Sequence, residues 1–341
     1  MIENILRVGV IGCGAIGKEH IERLTNVVPQ TKVVAVYDYF ENVANEVAEK
    51  YQVSVCLSGK SLIERDDVDA VLITSTDDTH AGYVFEALKN KKYIFCEKPL
   101  ALTADECEEM MVEEAKIGKR LIQVGFNRRF DVGYREMKTA ILDGEIGEPL
   151  LIHSAHRNIS QAPGFETDYA ITRVAIHEID ITRWLLDEEY EEVQVLTVKQ
   201  SRRTSGDWLN PQLIMFKTQS GQRIDVEVQT DGAYAYDIQC QVVGEDGTLN
   251  LPDPAKVWKR TNQNFSYALT DHWAKRFIES YDTEFKEWAE SILAGQLEGP
   301  SAWDGYVSCV VAERLIQSRK TGIAEKIELK TKDAIYKNIK E

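Results

Sequence analysis

Through the first third of the chain, short apolar runs rich in β-branched residues alternate with amphipathic stretches of helical length. The apolar runs cover 6–11, 32–37, 53–56, 70–74, 92–96 and 120–124, and helical periodicity covers 15–25, 42–50, 79–89 and 104–116. Uninterrupted apolar strands separated by helices predict a parallel sheet buried on both faces, the doubly wound α/β arrangement.

After residue 126 the pattern changes. A helix at 134–142 precedes strand-like runs at 149–157, 191–200, 211–217, 222–229 and 236–244, with Gly221 and Gly244 to Gly247 as turns. Strands that follow one another without helices predict a large, mostly antiparallel sheet with one open face. Helical periodicity returns at 174–186, 272–294 and 303–319. The chain therefore divides into an N-terminal Rossmann domain over 1–124 and a C-terminal α/β domain over 125–341.

Composition narrows the partners. A formal net charge of −16 opposes phosphate backbones and anionic lipid. The densest basic runs, Lys89-Asn-Lys-Lys92 and Arg202-Arg203, are too short to offset it, so neither nucleic acid nor a membrane is expected as partner. The cysteines (Cys13, Cys56, Cys96, Cys107, Cys240 and Cys309) form no C-x-x-C pair and read as reduced core thiols. With no signal-peptide pattern and no apolar run of membrane-spanning length, a cytoplasmic location is expected.

The chemistry begins at Gly12-Cys-Gly14-Ala15-Ile16-Gly17, a G-x-G-x-x-G placed between the first strand and the first helix. Glycines permit the tight turn and a close backbone approach to pyrophosphate, and the helix N-terminus supplies unpaired N–H groups. Asp38 ends the second strand, 21 residues after Gly17, where a carboxylate accepts from both ribose hydroxyls and repels a 2′-phosphate. Tyr39 and Phe40 follow rather than a basic residue, so NAD is the expected cofactor.

Two residues are candidates for proton and oxyanion chemistry. Lys98, in Phe95-Cys-Glu97-Lys98-Pro99, lies at the C-terminal end of the fifth strand, where open parallel sheets present ligand groups. There it can hydrogen-bond a reacting hydroxyl; the other reading is a solvated lysine before a proline. His177, in Ala175-Ile-His177-Glu-Ile-Asp180, begins a helix and can take a hydroxyl proton, or it can serve as a hydrogen-bonded core histidine.

Together the glycine turn, Glu97-Lys98-Pro99, Gly125-Phe-Asn-Arg-Arg-Phe-Asp131 and His177-Glu-Ile-Asp180 resemble the Gfo/Idh/MocA oxidoreductases over nearly the whole chain. Within that family, His156-Arg157-Asn158, Tyr234-Ala-Tyr236 and Val243-Gly-Glu-Asp-Gly-Thr look most like the inositol 2-dehydrogenases. The resemblance implies NAD-dependent oxidation of a secondary ring hydroxyl of a cyclitol or sugar, without a metal, in a homo-oligomer that is commonly a tetramer. It implies Lys98 holding the hydroxyl, His177 as base, and Arg128, His156, Asn158, Tyr236 and Tyr281 contacting the polyol. Thr74, Ser75, Thr76, His80 and Glu97 would lie on the cofactor side.

One position departs from that pattern. Where the family carries an aspartate four residues before the histidine, this chain has Arg173. A guanidinium there disfavours the imidazolium formed during oxidation. Three readings stay open. Arg173 turns outward while water, Glu178 or Asp180 takes the aspartate's part; or it clamps a carboxylated sugar; or it leaves a catalytically silent dinucleotide-binding protein.

Overall fold

A computed structural model describes residues 5–204, 206–253 and 257–337, and these divide into two compact units. The first carries β1 (Leu6–Ile11), β2 (Thr31–Tyr37), β3 (Ser54–Val55), β4 (Ala70–Ile73), β5 (Tyr93–Cys96) and β6 (Ile122–Val124). All pairings are parallel and the order is β3-β2-β1-β4-β5-β6. Helices α1 (Ala15–Asn26), α2 (Glu41–Tyr51), α3 (Gly59–Ile63), α4 (His80–Lys89) and α5 (Ala104–Ile117) connect the strands. Every side chain of β4 is buried, which is why its sequence shows no polar alternation. The strand order reverses between β1 and β4, and ligands of open α/β sheets bind beyond the strand ends at such a point.

The six expected strands are all present, while α3 escaped the periodicity because it is a single short helix held by a Ser58–Ser61 capping box.

The second unit begins at Asn127. Its strands are β7 (Pro149–Arg157), β8 (Tyr190–Leu196), β9 (Gln212–Thr218), β10 (Arg223–Gln229), β11 (Asp237–Gly244), β12 (Thr248–Asn250), a separate β13–β14 hairpin (Lys259–Thr261, Asn264–Ser266) and β15 (Glu325–Lys326). The main sheet runs β12-β11-β7-β10-β9-β8-β15, antiparallel except for β7 beside β10. Buried and half-exposed residues alternate along β9 and β10, so one face packs on a core and the other is open. Helix α6 (Val132–Leu142) starts at an Asp131 cap. A π-helical segment, Ala170–Ala175, leads into α7 (Ile176–Leu186).

The helix expected over 272–294 is two, α8 (Trp273–Arg276) and α9 (Ile278–Leu293), followed by α10 (Ala302–Thr321). Here the expected division at 124/125 needs correction. The first crossing lies at Phe126, but residues 281–310 and the described residues from Leu329 onward return to the first unit. The reason is packing: Phe285, Trp288, Ala289 and Ile292 of α9 sit at helical spacing in one apolar cluster with Val8 and Val10 of β1, Leu24 of α1 and Phe95 of β5. No described helix is long and apolar enough to cross a membrane.

Candidate active site

At the end of β1 the chain turns at Gly12, whose φ of +98° favours glycine and whose added Cβ would lie 2.5 Å from the Ser75 nitrogen. At Gly17 an added Cβ would lie 2.1 Å from the Gly12 carbonyl oxygen, so helix and turn can touch only through glycine. Gly14 differs: a Cβ there meets nothing within 4 Å. Gly14 is also the N-cap of α1, with no side-chain cap and no acidic residue in the first turn. The N–H groups of Ala15, Ile16 and Gly17 therefore open a helix whose positive end faces free space. That cradle fits a dinucleotide pyrophosphate.

Asp38 follows β2 and has a second task that sequence spacing did not reveal. Its Oδ2 accepts from the Cys13 N–H at 2.7 Å and its Oδ1 from the Phe40 N–H at 2.8 Å. An ionised carboxylate has about four lone-pair sites, so acceptor capacity remains for ribose hydroxyls. Asp38 thus shapes the glycine turn and keeps acceptor capacity for a ligand.

Beyond β4, Thr74 faces inward and its hydroxyl donates to the Gly12 carbonyl at 2.7 Å, holding the turn from behind. Ser75 is half-buried with its hydroxyl 2.6 Å from that of Thr79, and Thr76 is exposed. His80 is buried; its Nδ1–H donates to the Pro99 carbonyl at 2.7 Å and its Nε2 lies 3.2 Å from the Ser75 carbonyl. One imidazole thereby ties the loop after β4 to the turn carrying Lys98, which is itself half-buried beside a cis Lys98–Pro99 bond.

Glu97 is buried, and its Oε2 accepts from the Lys98 backbone N–H at 3.1 Å. Its Oε1 lies 2.9 Å from Nε2 of His20, a residue of α1 that the sequence reading passed over. The available signal was a polar residue on the helix face that buries Gly17, Ile21 and Leu24. Burial alone would raise the Glu97 carboxyl, but the His20 hydrogen bond and the Lys98 charge hold it below the ordinary carboxylate range. Tyr281 also belongs to this unit, its ring 5.4 Å from that of His20 and under the Arg23 guanidinium at 5.2 Å.

The second unit gathers most of the residues expected to meet substrate. Arg128 is 1% exposed; its Nη1 pairs with Glu178 Oε1 and its Nη2 lies 3.1 Å from His156 Nδ1, which is 3.0 Å from Glu178 Oε2. Burial pushes the Glu178 carboxyl up, yet the charges of Arg128 and His156 outweigh it and leave it below its usual value. The His156 ring stands perpendicular to Tyr236 at 5.6 Å and 6.2 Å from the half-buried His177. Burial pushes the Tyr236 hydroxyl up and keeps it protonated. Asn158 follows β7, its backbone N–H donating to the Gln229 carbonyl at 2.8 Å. Its buried side-chain Oδ1 has no hydrogen-bond partner among the described residues. An orphan acceptor of that kind suits a ligand hydroxyl.

Arg173 sits in the π-helical segment, exposed, with its guanidinium carbon 3.8 Å above the Tyr169 ring. The two carboxylates that could replace the missing aspartate are already engaged. Asp180 takes a two-pronged bond from Arg129 at 2.9 and 2.5 Å, and Glu178 is held by Arg128 and His156.

Comparison with known proteins agrees with this geometry. Residues 6–126 match the model of the Gfo/Idh/MocA oxidoreductase family with its NAD-binding Rossmann fold, and residues 138–329 match that family's C-terminal α/β domain. Proteins named inositol 2-dehydrogenase from Burkholderia lata and Serratia proteamaculans are 44% identical over 334 and 333 residues, covering 97% of this chain and 99% of theirs. Among solved structures, myo-inositol dehydrogenase from Lactobacillus casei in complex with NAD(H) and myo-inositol superposes with a TM-score of 0.95 at 36% identity, covering 98% of this chain and 100% of that one. With a dinucleotide cradle, a Glu-Lys-Pro turn and both family domains in place, this chain belongs to the Gfo/Idh/MocA family of oxidoreductases.

Proposed function

We propose that this protein is an NAD-dependent dehydrogenase that oxidises a secondary ring hydroxyl of a cyclitol, with inositol the substrate of choice, to the ketone. The observation that carries the reading is the full-length likeness to an inositol dehydrogenase in complex with NAD(H) and myo-inositol. NAD, held by the Gly12–Gly17 turn and Asp38, would supply the acceptor for the hydride of the carbinol carbon. Lys98 donates a hydrogen bond to the reacting oxygen and stabilises its developing negative charge. His177 takes the hydroxyl proton, so that one hydride and one proton leave as the carbonyl forms. Asn158, His156, Tyr236, Arg128 and Tyr281 meet the remaining ring hydroxyls, each of which costs about 1–3 kcal/mol if buried without a partner. The open face of the large sheet supports self-association, a tetramer read as about four chain masses by light scattering, and the reduced thiols suit the cytoplasm.

Arg173 gives the test. Reversing the charge four residues before His177 favours the forming imidazolium; for a carboxylate brought to about 6 Å in place of a cation the change is about 1.4 kcal/mol in a water-like dielectric, or roughly tenfold at most. Losing the Tyr169 stack costs at most about 1 kcal/mol of stability, so the fold survives. Arg173→Asp is therefore expected to raise kcat for inositol by up to about tenfold, followed as NADH formation across inositols, neutral sugars and uronic acids. A second reading, oxidation of a carboxylated sugar, draws on the exposed guanidinium at this position. It predicts wild-type turnover of a uronic acid that Arg173→Asp abolishes. Intact NADH binding with no turnover of any compound by either protein would refute both.

A further inference from the structure

Four residues of the first unit line up behind Lys98. The Arg23 Nε–H donates to Asp282 Oδ1 at 2.6 Å, and its Nη1–H lies 3.1 Å from His20 Nδ1. A guanidinium can only donate, so Nδ1 accepts and the single proton of a neutral imidazole sits on Nε2. That Nε2–H points at Glu97 Oε1, 2.9 Å away, while Glu97 Oε2 receives the Lys98 backbone N–H. His20 is fully buried, Arg23 is 6% exposed and Glu97 8%. The Glu97 carboxylate has nowhere else to go on one side: a Cβ at Gly125 would lie 3.1 Å from its Cδ.

We propose that His20 is a positioning residue for hydride transfer, its tautomer fixed by Arg23 so that it holds Glu97 and, through Glu97, the backbone that presents Lys98. The inference rests on the dehydrogenase reading for its kinetic consequence but not for its chemistry. A buried ion-and-imidazole chain of this kind has no need to face the solvent, and α1, which carries His20, is also the helix that opens at the pyrophosphate cradle. Seat of cofactor and seat of lysine are thus joined through one ring. The charges that face that ring are Glu19 and Arg23 from α1 and Glu97 from the end of β5, with Lys98 and Asp282 one step further. Burial depresses the imidazole more than Glu97 raises it, and the ring stays neutral.

Two substitutions separate the donor from the packing. His20→Phe keeps an aromatic ring against Phe95, Tyr281 and Phe285 and removes the donor; His20→Gln keeps an N–H at the Nε2 end and removes the ring. In His20→Phe, kcat should fall about 10- to 100-fold through misplacement of Lys98, with the Kd for NADH within about threefold of wild type. Its acid limb should also move upward, because Glu97 loses the His20 hydrogen bond that lowers its carboxyl and keeps only the Lys98 contacts against burial. His20→Gln should recover most of kcat and the wild-type acid limb. The proposal is overturned if His20→Phe matches wild type in kcat and pH profile, or if it is at least as active as His20→Gln. Long-range proton–nitrogen correlation spectra of the wild-type chain give an answer that needs no substrate: His20 should be neutral at neutral pH with the proton on Nε2. A ring charged at neutral pH or an Nδ1–H tautomer sinks the relay. A wild-type protein that turns over no cyclitol sinks the dehydrogenase reading instead, and the spectra still decide the relay.

Discussion

Gly14 and Gly17 stand three residues apart in one motif, yet a methyl group added to each should do different things. At Gly14 the backbone has φ −69° and ψ −162°, which alanine adopts freely, and the new Cβ meets nothing within 4 Å. The weaker N-cap preference of alanine and the loss of unfolded-state freedom roughly cancel, leaving stability within about 0.5 kcal/mol. On the proposed cofactor reading the methyl takes the space through which a pyrophosphate oxygen approaches an N–H at about 2.9 Å. One lost charge-assisted bond, about 1.5–3 kcal/mol, weakens NADH by about 10- to 150-fold.

At Gly17 the new Cβ would fall 2.1 Å from the Gly12 carbonyl oxygen and 2.9 Å from Thr74 Oγ1. Backbone has to move by about 1 Å, an overpacking that costs about 1–3 kcal/mol and lowers Tm by about 2–10 °C. Cofactor binding falls as well, since the turn itself is displaced. Fluorescence titration with NADH and calorimetry of the cofactor-free protein separate the two variants. Gly14→Ala binding NADH as tightly as wild type, or melting as low as Gly17→Ala, would refute the assignment of Gly14 to the cofactor and Gly17 to the fold.

Asp38→Ser should raise the KM for NAD at least about tenfold while relieving the repulsion of a 2′-phosphate, so the ratio of kcat/KM for NAD over NADP should drop; an unchanged ratio would remove Asp38 from the ribose. Glu178→Gln leaves Arg128 buried without its counter-charge and should cost about 3–5 kcal/mol in urea unfolding, with the double change Arg128→Met, Glu178→Gln costing less than the single one. Because the Glu178 carboxyl is held below its ordinary value, its contribution is complete above about pH 4.3 and fades as pH falls through the folded value. Acid sensitivity should therefore be smaller in the variant in that window.

Much of the first unit was open to reading because it depends on local rules. Strands buried on both faces are apolar throughout, helices between them repeat at their own period, and the glycine turn needs three glycines whatever surrounds it. Lys98 could be placed at a strand end from the run before it and the proline after it. Five strands of the second unit, β7 to β11, were legible through alternation, although β8 stops at Leu196 where the apolar pattern runs on; β12 to β15, of two or three residues each, are too short to show a period.

What the sequence could not carry is partnership over long separations. The periodicity of α9 announces an apolar face but not which sheet that face covers, and only the packed cluster with β1 and β5 assigns it to the first unit. The same holds for polar groups. Asp38 reads as a ribose acceptor from its spacing, but its bond to the Cys13 N–H depends on β1 and β2 lying side by side. His20 and Glu97 are 77 positions apart, and Arg128 and Glu178 are 50 apart, so no local pattern links them. Arg173 is the sharpest case. Sequence fixes the charge reversal beside His177, whereas its exposure and its stack on Tyr169 follow from the π-helical segment that leads into α7. Local periodicity determines elements and turns because it acts within a few residues; tertiary structure decides partners, because burial makes an unpaired charge or donor costly only once the chain has closed around it.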